Sequence, residues 1–318
     1  MRRPSNLFAL MLTLGLVASG CGDSGNDASE TDFDGIAVVV GSKNFTEQYV
    51  LSEILIQGLA ARGADVTDNT DTGDTAETRA ALLGGDIDAY WEYNSTGWVE
   101  HLGRSEQPDS DGEALTKAVA EADRSENQIE WIGRSSFNDT YGFVASPAIA
   151  DETAATRFSV DAFDLEAMAE YLDDNDDTIV CVEPEFPDRG DGLVLFTNET
   201  GFAVPDDRLR VFDDAGDIYG AVADGTCDFG EVFTTDGRID AFGLTTVVDP
   251  GVFYVYNVSL NIPTDVYNEA PDSFDDLVGD ILAPMSKTRI TELNRRVSDG
   301  ESVAEVAADY LDTFGINP

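Results

Sequence analysis

Lysine is nearly missing from this chain of 318 residues: Lys43, Lys117 and Lys287 are the only three, and with the arginines they give 18 basic side chains against 63 acidic ones. The resulting formal charge of −45 is spread along the whole length and excludes an affinity for DNA, RNA or an anionic lipid surface. Dispersed acid with scarce lysine suits a surface kept in concentrated salt, where repulsion is screened at short range, and equally suits an acidic exported protein. Histidine occurs once, as His101, and no CxxC or HExxH spacing is present, so no zinc site and no cofactor is expected. A hydrolase would need a nucleophile with its base, and the chain has no Gly-x-Ser-x-Gly elbow, which argues against an enzyme. Asp109-Ser110-Asp111-Gly112 and Asp173-Asp174-Asn175-Asp176-Asp177 lack the spacing and closing glutamate of a calcium loop and read as solvated turns. Apolar runs long enough to span a bilayer are absent throughout.

The first twenty residues do have the parts of an export signal. Arg2-Arg3 precede the apolar stretch Leu7 to Ala18, and Ala18-Ser19-Gly20 lead directly into Cys21. A cysteine straight after small residues resembles a lipobox, in which Cys21 becomes the lipid-bearing first residue; an ordinary signal cleaved nearby is the alternative, and the paired arginines leave the export route open. Residues 1–20 are thus read as the signal and 21–34, rich in Gly, Ser, Asp and Asn, as a flexible tether. With Cys21 assigned to lipid, Cys181 and Cys227 remain. Both lie in strand-like runs, where a disulfide and two buried thiols are equally plausible.

From Ile36 to Trp98 the order is strand, helix, strand, helix, strand, helix, which indicates an α/β fold with mainly parallel sheets flanked by helices. Val50, Leu51, Ile54, Leu55 and Leu59 share one face of the first helix, which ends near Arg62-Gly63, and Asn44 with Glu47 forms a candidate capping pair. After the helix at Glu113 to Ala122 and the strand Ile129 to Ile132, the segment Phe137 to Val144 is a candidate crossover into a second lobe. That lobe continues with strands at Ile179–Val182, Leu209–Phe212 and Asp228–Phe233, and Val252 to Leu260 brings the chain back before a helical tail. The expected division is residues 35–142 with 252–318 as lobe 1 and 143–251 as lobe 2, with a ligand in the cleft at the carboxyl ends of the strands. Asn44, Asn94, Asn138, Asn198 and Asn257 begin N-x-[ST] triplets, but most fall in these cleft loops, where a glycan would obstruct.

Lys43 follows the first strand and precedes a helix N-terminus, a setting that favours an anion. Arg189 stands in another βα loop. Tyr93, Tyr141, Tyr219, Tyr254 and Tyr256 sit at strand ends or after turns, where each taken singly is more often core or rim than ligand. Together they describe a pocket for a zwitterion: tyrosine faces attract a quaternary ammonium, at roughly 0.5 to 2 kcal/mol per ring, and Lys43 with Arg189 would hold a carboxylate.

Gly41-Ser42-Lys43-Asn44-Phe45-Thr46-Glu47-Gln48, Gly85-Asp86-Ile87-Asp88-Ala89-Tyr90-Trp91-Glu92-Tyr93, Asn138-Asp139-Thr140-Tyr141, Arg189-Gly190-Asp191-Gly192 and Thr235-Asp236-Gly237 occur in the order seen in substrate-binding proteins of glycine betaine/choline ABC transporters, which the chain resembles from Ile36 to its C-terminus. The resemblance implies a two-lobed periplasmic-binding-protein-like fold of type II, and Lys43, Arg189 and Thr96 as carboxylate-binding residues. It further implies an aromatic box of Tyr93, Tyr141, Tyr219 and a fourth ring, Tyr256 or in reserve Tyr254, with the backbone carbonyl of Asp139 facing the methyl groups. The family usually has Tyr-Thr-Gly-Thr where this chain has Tyr93-Asn94-Ser95-Thr96, and prolines that Val252 to Leu260 lacks. The implied function is an extracytoplasmic, lipid-anchored, monomeric receptor that binds a small zwitterionic or cationic solute, glycine betaine or a relative of it, and hands it to its cognate ABC permease and ATPase. A receptor for choline, carnitine or another cation is the alternative.

Overall fold

A computed structural model describes residues 32–104, 109–156 and 163–316. The signal, Cys21 and nearly all of the tether lie outside the described residues.

Strand β1, Ala37–Lys43, is built on Val38, Val39 and Val40 and pairs in parallel with β2, Asp65–Gly73, on the far side of helix α1, Thr46–Ala61. Gly41 sits where a Cβ would come within 2.5 Å of Ile87 and 2.8 Å of Thr72, so only glycine allows this approach. Helix α2, Thr75–Gly84, starts at Asp74, whose carboxylate accepts the Glu77 N–H while Glu77 accepts the Asp74 N–H, and ends on Gly85 in the left-handed conformation. Strand β3, Tyr90–Tyr93, runs into a helical turn α3, Asn94–Thr96, and a π-helical turn over Gly97–His101. Helix α4, Gly112–Asn127, capped by Asp111, and strand β4, Ile129–Ile132, complete this half.

The crossover strand β5, Tyr141–Ala145, leads into α5, Pro147–Thr156, and α6, Leu165–Asp174, capped by Asp164. Then follow β6, Val180–Val182; α7, Leu193–Thr200; β7, Leu209–Val211; α8, Ala215–Ala223; β8, Phe229–Phe233; α9, Arg238–Ala241; and β9, Thr245–Thr246. The chain returns in β10, Val258–Pro263, and ends in α10, Thr264–Tyr267; α11, Pro271–Leu282; α12, Lys287–Ser298; and α13, Val303–Phe314.

Strands β5 to β9 form one five-stranded sheet in the order β7-β6-β8-β5-β9, whereas β10 goes back between β3 and β4. Parallel pairing holds for β1–β2, β6–β7 and β6–β8. Where mainly parallel sheets were expected, β3-β10-β4 is antiparallel and the five-stranded sheet is mixed, because β5 and β10, which carry the chain between the two groups of strands, enter antiparallel to their neighbours. The Asn44–Glu47 capping pair does not form either: Phe45 occupies the N-cap with no side-chain bond, and Glu47 turns inward and is buried.

Cys181 and Cys227 form a disulfide across a separation of 46 residues, with Cα atoms 5.9 Å apart, that ties β6 to the entry of β8. Closing a loop of this length removes unfolded-state entropy equivalent to about 4 kcal/mol. The bridge lies in an apolar cluster with Ile218, Tyr219 and Val222.

Candidate ligand-binding site

The ends of β1 and β3 bring Lys43 and Tyr93 to one cavity, together with Phe45 from the N-cap of α1 and Thr96 from α3. From the other side come Asp139 and Tyr141 at the start of β5, Phe233 at the end of β8, and Tyr256 just before β10. Thr75, Glu183 and Glu185 complete much of the cavity wall.

Its aromatic side chains form a closed circuit. Ring centroids are 6.3 Å apart for Phe45 and Tyr93, 6.4 Å for Tyr93 and Tyr256, 5.4 Å for Tyr256 and Tyr141, 5.6 Å for Tyr141 and Phe233, and 4.8 Å for Phe233 and Phe45. A regular pentagon with edges of this size has its centre about 5 Å from every ring, inside the ~6 Å reach of a cation–π contact. Tyr93, Tyr141 and Tyr256 were legible in the sequence, and Phe45 and Phe233 were not. Phe45 lay inside the first motif, but a phenylalanine at a strand or helix end carries no mark that separates ligand contact from core.

Tyr219 is not part of the circuit. On α8 it points with Ile218 and Val222 into the disulfide cluster, accepts the Phe233 N–H at 3.1 Å, and lies under the Arg238 guanidinium at 4.7 Å. Of the two candidates for a fourth ring, Tyr256 is buried and lines the cavity, whereas Tyr254 is half-buried and does not line it.

The two cations are both already paired. Lys43 Nζ donates to Glu92 Oε1 at 2.8 Å and sits 4.9 Å from the centre of the Tyr93 ring. Arg189 is 4% exposed and stands behind the cavity wall. Its Nε and Nη2 fork onto Asp191 at 2.9 Å each, Nη1 donates to Glu185 at 2.7 Å, and the remaining N–H groups reach Thr75 at 3.3 Å and Thr96 at 3.4 Å. All five donors of the guanidinium are therefore in use, and the cavity meets Thr75 and Thr96 first. Gly192 lets this loop fold tightly, since a Cβ there would come within 2.7 Å of the Phe186 carbonyl.

Asn94 explains the departure of Tyr93-Asn94-Ser95-Thr96 from the usual motif. Buried, it receives the Ser95 and Asn257 N–H groups and donates to Thr116, pinning the end of β3 to the start of β10. Asn257 is buried as well and donates to the Phe137 carbonyl at 2.6 Å, so neither of these two triplets presents an accessible side chain.

Carboxylates crowd the far side. Glu47 accepts from the Tyr93 hydroxyl at 2.8 Å, from Asn294 at 3.0 Å and from the Thr235 hydroxyl, while Asp139 accepts the Thr235 N–H at 3.1 Å. Burial pushes both carboxyls up, and at Asp139 the neighbouring Glu47 adds to it. Burial and Glu185 push Glu183 up to about 7. Glu92 goes the other way: burial alone would raise it, but the Lys43 ammonium, followed by His101, holds it well below the usual range.

Over residues 36–313 the chain matches the family model described as the substrate binding domain of ABC-type glycine betaine transport systems. It belongs to that family. This substrate-binding domain is similar to a glycine-betaine-binding protein of Pseudomonas aeruginosa, at 29% identity over 274 residues covering 86% of each chain. It is also similar to the glycine betaine-binding protein YehZ of Escherichia coli, at 26% identity covering 87% of this chain and 90% of the relative. Its fold matches a solved structure titled glycine betaine/carnitine/choline ABC transporter, with a TM-score of 0.67 at 20% identity over 88% of this chain and 100% of that one. The substrate-binding domain is thus the extracytoplasmic solute receptor of an ABC transporter, and its α/β architecture is that of periplasmic substrate-binding proteins.

Proposed function

We propose that this receptor binds glycine betaine, or a quaternary-ammonium compatible solute related to it, and hands it to its permease and ATPase in osmoprotection. The observation that carries this reading is the closed circuit of five rings, of a size to surround a trimethylammonium head, in a domain of this family. The head would sit among Tyr93, Tyr141, Tyr256, Phe45 and Phe233, with its methyl groups toward the Asp139 carbonyl. The carboxylate end would face Lys43 and Thr96, with Arg189 behind them. Residues 35–142 with 252–318 and residues 143–251 act as two lobes, and Arg189 links them when they close, since its partners Thr75 and Thr96 lie in the first and Glu185 and Asp191 in the second. Binding needs no covalent chemistry, and the receptor works as a monomer.

A thermal-shift panel on the mature domain tests the ligand class. At a concentration near 100 times the dissociation constant, glycine betaine stabilises the fold by about 2.7 kcal/mol, a rise of several degrees that proline betaine shares and ectoine, which has no quaternary ammonium, does not. No rise with glycine betaine, choline, carnitine or proline betaine would overturn the reading.

The lipobox-like start motivates a second proposal, that Cys21 anchors the receptor to the outer face of the cell membrane. Intact-mass analysis of the membrane fraction is expected to find a lipid on Cys21, and Cys21→Ser to shift the protein into the soluble fraction. Wild-type protein found only in the soluble fraction would refute the anchor.

A further inference from the structure

The sole histidine and the fully buried carboxyl of Glu92 lie together behind Lys43, and the ligand reading leaves both without a role. Glu92, on β3, is fully buried and uses both oxygens: Oε1 accepts from Lys43 Nζ and from the Tyr93 N–H at 2.8 Å each, and Oε2 accepts from the Tyr90 hydroxyl at 3.0 Å and meets His101 Nε2 at 2.7 Å. Tyr90 and His101 also contact each other at 3.2 Å, closing a triangle made possible by the π-helical turn that swings His101 back over β3. A carboxylate held from four directions cannot rotate away to release its lysine.

We propose that Glu92 is a positioning and specificity-determining residue: it fixes the Lys43 ammonium in the cavity wall and offsets its charge, so that the site grips a solute chiefly by its cationic head. This inference rests on the quaternary-ammonium reading of the same cavity. Lys43 Nζ lies 4.9 Å from the Tyr93 ring centre and 5.9 Å from that of Phe45, two of the five rings that would receive the ligand cation. An uncompensated ammonium there would repel the head and pull a ligand carboxylate strongly. Paired with Glu92 at 2.8 Å, it presents a dipole whose field fades faster with distance than that of a point charge. Arg189 is offset in the same way by Asp191 and Glu185, and beyond Lys43 no cation stands among the cavity's lining residues. The balance of charge therefore favours the positive end of a ligand over its negative end.

Glycine betaine and choline share the trimethylammonium head and differ in whether a carboxylate or a hydroxyl follows it, so their affinity ratio reads the effect directly. Titration calorimetry on the wild type is expected to give dissociation constants within about tenfold of each other, a difference of no more than ~1.4 kcal/mol. In Glu92→Gln the Lys43 charge is uncovered, and the ratio moves toward glycine betaine by about tenfold or more. Glu92→Asp, which draws the carboxylate back by one methylene with little change in volume, moves it the same way by less and serves where the amide destabilises the fold. A merely structural role for Glu92 would weaken both ligands alike, and an unchanged ratio in both variants overturns the inference while leaving the ligand class intact. A wild type that binds neither compound overturns the quaternary-ammonium reading itself.

Discussion

In Tyr93→Ala the dissociation constant for glycine betaine rises about 100-fold or more, equivalent to ~2.7 kcal/mol. The ring is one of five around the cavity and contributes roughly 0.5 to 2 kcal/mol by its face. Its hydroxyl adds to this, because it donates to the buried Glu47, which loses a partner when the phenol is removed. Truncation also breaks the circuit at the contacts with Phe45 and Tyr256 and admits water beside the ligand head. Tyr93→Phe keeps the ring and loses the bond to Glu47, so it separates the two contributions and is expected to cost much less affinity. Tyr219→Ala provides the contrast: it lies outside the cavity in the disulfide cluster, so it lowers stability by about 3 to 5 kcal/mol, as removal of a large buried ring does, with a far smaller effect on affinity. Calorimetry and chemical denaturation on the three variants check the pattern, and a Tyr93→Ala variant that binds like the wild type would remove the ring circuit from the ligand site.

Arg189→Ala is expected to lose stability as well as binding. A lysine-like cation in an exposed loop could be deleted at little cost, but this guanidinium is buried against the fully buried Asp191 and against Glu185. Removing one partner of a buried pair strands the other, typically at 3 to 5 kcal/mol, so the melting midpoint falls by roughly 5 to 8 °C at the unfolding entropy of a chain of about 300 residues. The loss extends to the cleft, because the bonds to Thr75 and Thr96 vanish and Tyr256, whose hydroxyl donates to Asp191 at 2.7 Å, loses its fixed acceptor. Arg189→Lys does not restore either property, since one ammonium cannot fork onto Asp191 and reach Glu185 and two threonines together. A midpoint within a degree of the wild type in Arg189→Ala would show that the pair does not support the fold.

The alternation of strands and helices was legible in the sequence because β-branched runs, the apolar face of Val50 to Leu59 and the stop at Arg62-Gly63 are local signals. Strand direction was not, because antiparallel entry by β5 and β10 depends on where the chain comes from. The cavity was legible to the extent that motifs placed Lys43, Tyr93, Thr96, Asp139 and Tyr141 at element ends, and it meets all five. Tyr219 lies outside the cavity because a tyrosine on a helix faces whichever side the helix buries, and Ile218 and Val222 commit that side to the other cluster. The pairing of Lys43 with Glu92 and the fork of Arg189 onto Asp191 were invisible as energetics: the motifs contain the residues, but proximity and desolvation emerge only with the fold.

The disulfide has a bearing on the order of events in making this protein. Cys181 and Cys227 are both fully buried, so once Ile218, Tyr219 and Val222 close over them no oxidant can reach either sulfur. The bridge must therefore form while that cluster is still open, in an oxidising compartment.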